Sequence, residues 1–184
     1  MGNAIILTSM LRRSALLALL GASAMISAAQ APSVATLSLS LKTMSKALAG
    51  CRESYTRTYE GVSLLRSVVG ADNYNKDMTS LGYAESFVNN LIGHPGKMSG
   101  KALVAILSTS DDFSIGVGST RAEVLRHLVI DPPNSHRQQE LMLAAESLND
   151  CQKSLFNAGD DFVPLVMDYV GAEDDALAKR SKVE

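Results

Sequence analysis

The stretch VATLSLSLKTMSKALAGCRESYTRTYEGVSLLRSVV, residues 34–69, decides the fold. Its apolar residues recur at alternating steps of three and four: Leu37, Leu41, Met44, Leu48, Cys51, Tyr55, Val62, Leu65 and Val69. That spacing places them on one face of a helix, with Thr58 as the single polar interruption. The stretch therefore predicts one long helix packed along a seam, ended by Gly70. The period-two alternation of Leu37, Leu39 and Leu41 blurs only its first turn.

The same rhythm returns downstream. Tyr74, Met78, Leu81, Val88 and Ile92 share a face and predict a helix over 73–92. Gly93 is placed for a left-handed cap, and Pro95 cannot continue the helix. The short apolar run 102–107 favours helix over strand. Asp111 to Ser119 is read as a loop, after which Thr120 and Glu123 match a capping box at the start of a helix over 121–130. Pro132 and Pro133 stop that helix, and Ser135 with Gln138 opens another. Ala144, Leu148, Cys151, Leu155, Ala158, Phe162, Leu165 and Tyr169 then form a long stripe. Pro164 fits this helix only with a kink near Gly159 or a restart at Asp160 and Asp161, which would act as a cap. Amphipathic helices joined by short loops imply an all-α antiparallel bundle of about four to five helices over residues 32–170. Residues 171–184 are expected to be a solvated tail. No internal repeat or linker divides the body.

Composition agrees. The chain has 184 residues, 46% hydrophobic and 20% charged, which suits one folded domain plus a leader. Aromatic content is only 5% with no Trp, while Met numbers 8. A core of Leu, Val, Ala and Met favours helices over a β-sandwich.

Residues 1–31 read as a secretory signal peptide. Arg12 and Arg13 supply positive charge, Ser14 to Ser27 is an uncharged Leu- and Ala-rich run, and small residues follow at Ala28, Ala29 and Ala31. Cleavage after Ala31 fits the small-x-small pattern but leaves Pro32 next to the cut; cleavage after Ala29 is the alternative. Met10 makes a tidier start than Met1. The competing reading, an uncleaved anchor, requires a span that is short and rich in Ala and Ser. No second segment is long and apolar enough to cross a bilayer. The expected location is therefore periplasmic or secreted. Without the leader the chain holds 15 basic and 19 acidic side chains, a net charge of −4. That excludes the basic footprint a nucleic-acid partner needs.

Cys51 and Cys151, the only two cysteines, each lie on a buried stripe. In an oxidising compartment they are expected to pair if their helices are neighbours. Leu48-Ala49-Gly50-Cys51 spells a lipobox, but Lys42 and Lys46 separate it from the apolar run, so acylation is not expected.

Motifs for chemistry are sparse. Gly116, Gly118, Ser119, Thr120 and Arg121 would form an anion-binding loop if they preceded a helix N-terminus, although Asp111, Asp112 and Glu123 would oppose an anion there. Glu123 and His127, four apart, share a helix face and could act as a base and its orienter or as two metal ligands. One such pair has too few donors, and neither His94 nor His136 is placed beside it by sequence. Tyr55 and Tyr59 could contribute to a partner surface or to the edge of the core. There is no Walker, Gly-x-Ser-x-Gly, Cys-x-x-Cys or His-Glu-x-x-His motif, so no catalytic residue, metal or cofactor is assigned.

The run Ser147-Leu148-Asn149-Asp150-Cys151, with Ala158 and Asp161, resembles a helix of the plant pectin methylesterase and invertase inhibitor family. The likeness covers about one helix, and the family's further cysteines, including its N-terminal pair, have no counterparts here. No assignment follows. The expected function is that of a non-enzymatic interaction protein: an inhibitor, an immunity-type protein or an envelope assembly factor, with another protein as partner. The alternatives are a small-ligand carrier and an enzyme using scattered residues around Glu123 and His127.

Overall fold

The structure is a computed structural model that describes residues 31–130 and 136–181. Helix α1 spans Val34–Gly61, α2 Ser63–Val69, α3 Ala71–Gly93, α4 Gly100–Ile130 and α5 His136–Arg180, with a 3-10 turn at Pro95–Lys97. Among the described residues there is no strand. The chain is an all-α bundle. The signal peptide expected over 1–31 lies outside the described residues except for Ala31, and so do Pro132, Pro133 and Ser135.

Side-chain contacts fix the helix directions. Arg52 meets Glu85 and Thr56 meets Tyr74, so α1 and α3 are antiparallel. Cys51 faces Cys151 and Thr58 donates to Ser147 at 3.3 Å, so α1 and α5 are antiparallel too. The backbone N–H of Gly100 donates to Glu173 at 2.8 Å, and Gln152 donates to the carbonyl of Ser114 at 3.4 Å, which opposes α4 to α5. Met44 contacts Ser110 and Tyr55 contacts Thr120, so α1 and α4 run parallel across the diagonal. The four long helices thus alternate up and down, with α5 returning to close the ring against α1.

Burial follows the predicted stripes. Leu37, Leu41, Met44, Leu48, Cys51 and Tyr55 of α1 meet Leu81, Ala84 and Val88 of α3, Leu103, Ile106, Phe113 and Val117 of α4, and Leu148, Leu155, Phe162 and Val166 of α5. Each fully buried large apolar side chain contributes about 1.5–3 kcal/mol relative to exposure. Phe113 meets Tyr55 edge to face, with ring centroids 5.8 Å apart. Cys51 and Cys151 sit at disulfide distance, with Cα atoms 4.6 Å apart, and tie the first long helix to the last.

Four local expectations need correction. The helix expected over 34–69 breaks at Val62, whose φ of −105° and ψ of 101° are extended. Thr58, Gly61, Val62 and Ser63 are weak helix formers, and α2 starts afresh after them. Gly93 stays helical and His94 ends α3; Gly70, with φ of +74°, takes the backbone that only glycine adopts freely. The loop expected over 111–119 is instead the middle of α4. Ser110, Phe113, Val117, Thr120 and Val124 are buried and continue the three-four spacing through it, so packing overrides the low helix propensity of its Gly, Ser and Asp residues. Last, α5 runs unbroken past Pro164 to Arg180, so Asp160 and Asp161 are interior helix residues rather than a cap. Pro164 lies on the exposed face of the helix, away from the core. The expected tail from residue 171 is helical up to Arg180, and largely exposed.

No helix among the described residues is long and apolar enough to cross a membrane.

Candidate functional site

The bundle interior contains a polar junction that includes a carboxyl. Tyr55 of α1 is fully buried, and its hydroxyl donates to Oδ2 of Asp77 on α3 at 2.7 Å. The same hydroxyl lies 3.0 Å from Oγ1 of Thr120 on α4. Asp77 is 9% exposed and Thr120 4%. Three helices therefore meet through three polar side chains, each satisfied by the others, as burial of polar groups requires. Burial pushes the Asp77 carboxyl above the usual carboxylate range, an effect only partly offset by the hydrogen bond from Tyr55 and by neighbouring Lys76. Burial also pushes the Tyr55 phenol up, so it remains a proton donor throughout the physiological range.

Gly116 explains how a carboxylate fits there. A methyl at Gly116 would overlap Oδ1 and Cγ of Asp77 outright and stand 2.6 Å from its Oδ2. Only a glycine on α4 leaves room for the carboxylate of α3. Below the junction Tyr59 and Tyr74 stack, with centroids 3.8 Å apart and planes at 5°. Above it, Arg52 holds Glu85 through two guanidinium nitrogens. That hydrogen bond raises the Arg52 pKa.

The residues singled out for anion binding are placed differently from expectation. Gly116, Gly118, Ser119, Thr120 and Arg121 lie inside α4, where backbone N–H groups serve the helix. There is no helix N-terminus at this point, so the basis for an anion cradle is missing. Instead Gly116 accommodates Asp77, Gly118 abuts the amide of Gln152, Thr120 bonds Tyr55, and Ser119 donates to the carbonyl of Ile115.

Glu123 and His127 do share a face, at 3.8 Å, but Glu123 bonds chiefly to Arg126. That bond holds the Glu123 carboxyl below its ordinary range. His94 lies at the end of α3 and His136 at the start of α5, where it faces Glu140. Among the described residues no three His, Cys, Asp or Glu side chains are grouped to hold a metal. A groove of about 290 Å³ between α1 and α5 is lined by Thr43, Lys46, Ala47, Ser154, Asn157, Ala158 and Asp161.

The outer surface carries large apolar side chains. Because α4 and α5 are antiparallel, the last turns of α4 and the first of α5 share one end of the bundle. Leu125, Val129 and Ile130 of α4 and Met142 and Leu143 of α5 are exposed there, Val129 by 87% and Leu143 by 68%. Sequence periodicity marks these residues as off the buried stripe but cannot show that both helices bring them to the same end.

No protein-family profile matches the chain, and neither a curated protein nor a solved structure is similar to it.

Proposed function

We propose that this chain is an exported, non-enzymatic helix-bundle protein that acts by binding another protein in the cell envelope or outside the cell, in the manner of an inhibitor, an immunity-type protein or an assembly factor. The observation that carries this reading is the apolar end of the α4–α5 hairpin, where five large aliphatic side chains stand in water. Gathered exposed apolar residues mark interaction surfaces more often than chance positions on a stable bundle. Export rests on the leader pattern of residues 1–31 and on the placement of Cys51 against Cys151, a bond suited to an oxidising compartment.

The test uses immobilised protein carrying the Cys51–Cys151 bond, exposed to the extracellular or envelope fraction of its source. A Val129→Glu/Met142→Glu variant is run alongside. Wild type should retain a protein that the variant loses, while both unfold at the same temperature. No retained partner, or equal retention by both, would overturn the proposal.

A further inference from the structure

At the Tyr55–Asp77–Thr120 junction a carboxyl is built into the core with no cation bonded to it among the described residues. Asp77 touches the Tyr55 hydroxyl and the backbone edge at Gly116, and among the described residues no Lys, Arg or His bonds it. From α1 the group facing it is the Tyr55 phenol. From α4 it meets Thr120 through that phenol and Gly116 directly, neither of which titrates. On α3 itself Lys76 is the charged neighbour, and its attraction opposes part of the burial effect. The helix that carries Asp77 enters through Gly70 and leaves through His94 into the 3-10 turn, and side chains hold it to α1 and α4.

We propose that this junction is a pH-sensitive latch: α3 is held tightest against α1 and α4 when Asp77 carries a proton, and loosens as that proton leaves.

The hydrogen bonds survive both states. With a carboxylate, Thr120 donates to Tyr55 and Tyr55 donates to Asp77. With a carboxylic acid the order reverses: Asp77 donates to the phenol and the phenol to Thr120, at unchanged oxygen positions. What distinguishes the two forms is the cost of burying the charge, which the Tyr55 hydrogen bond and nearby Lys76 offset only in part. The carboxyl's upward shift has this same cause. Docked α3 therefore binds the proton more tightly than undocked α3. The latch contribution is complete below the ordinary carboxylate range and disappears as pH rises through the raised value of the docked state. Each unit of separation between the two values weakens docking about tenfold.

Hydrogen exchange of the intact protein, followed across residues 71–93 from acid to neutral pH and corrected for intrinsic rates, reads the latch. Protection of α3 should fall in wild type as pH rises through the raised value. Asp77→Asn, which retains the shape and an acceptor, should stay flat. Comparing the two cancels every pH effect that does not pass through Asp77. A parallel slope in both proteins, or no slope in wild type, would overturn the proposal. Should Asp77→Asn not fold, carbon-detected NMR titration of Asp77 in wild type decides instead: a midpoint above the ordinary carboxylate range upholds the latch, and one at or below that range removes it.

Discussion

Replacing Gly116 with Ala ought to stabilise an ordinary helix, and here it should do the opposite. Glycine in a helix interior costs about 1 kcal/mol relative to alanine, so the substitution starts with a gain of that size. The new methyl would overlap Oδ1 and Cγ of Asp77 and stand 2.6 Å from Oδ2. The whole carboxylate must move, since the methyl would meet all three of its atoms. Overpacking of this kind costs about 1–3 kcal/mol. Displacing Asp77 also breaks its 2.7 Å bond to Tyr55, and a buried hydrogen bond to a charged group is worth about 1.5–3 kcal/mol. The net is a loss of about 1.5–5 kcal/mol, or a melting temperature lower by about 5–15 °C for a domain of this size. Gly50 provides the control. It lies in the interior of α1 with nothing within 4 Å of where a methyl would stand, so Gly50→Ala should gain about 0.5–1 kcal/mol. Thermal unfolding followed by far-UV circular dichroism compares the pair under one condition. Adding Asp77→Ala to Gly116→Ala should recover part of the loss, because the two substitutions share one contact and cannot be additive. Equal stability of the Gly116 and Gly50 variants would refute the close approach of α4 to Asp77.

Reduction of Cys51–Cys151 opens a loop of 100 residues, for which chain entropy sets a loss of up to about 4–5 kcal/mol, or about 10–15 °C in melting temperature; an unchanged melting curve would contradict the pairing. Pro164→Ala restores a helical N–H on the exposed face of α5 and should stabilise by about 1–3 kcal/mol; a loss would mean that a bend at Pro164 helps seat Phe162 and Val166. Tyr55→Phe removes the hydroxyl that donates to Asp77 and should destabilise by about 1–3 kcal/mol, more at neutral than at acid pH; denaturant titration at two pH values checks both size and direction.

The three-four spacing of Leu37 to Tyr55 and of Ala144 to Phe162 made the two outer strokes of the ring legible, and with them the burial of both sulfurs. What the residues concealed was continuity through polar positions. Ser110 and Thr120 interrupt the apolar stripe of α4, and Gly116 and Gly118 sit between them, so propensity reads a loop where tertiary contact enforces a helix. Thr58 interrupts α1 in the same way, and in the bundle it is buried against Ser147. The junction was hidden for a related reason. Asp77 falls on the stripe of α3 in register with Leu81, Ala84 and Val88, and a lone acidic residue there reads as a surface position. Tyr55 stands 22 residues from Asp77, and Thr120 stands 65 residues from Tyr55. The usable signal was the coincidence of an acid on one stripe with a glycine and a threonine four apart on another. The exposed apolar residues of α4 and α5 needed the helix directions before they could be placed at one end of the bundle.

Mass spectrometry of the exported protein, intact and after digestion without reductant, bears most directly on the claim of an exported bundle closed by its first and last long helices. The mature chain should begin at Gln30 or Pro32 and be lighter by the two hydrogens of a closed bond. The Cys51 and Cys151 peptides should be recovered as one species until reductant parts them. A chain that retains its arginine-flanked leader, or one whose two thiols are free and labelled separately, would contradict that claim.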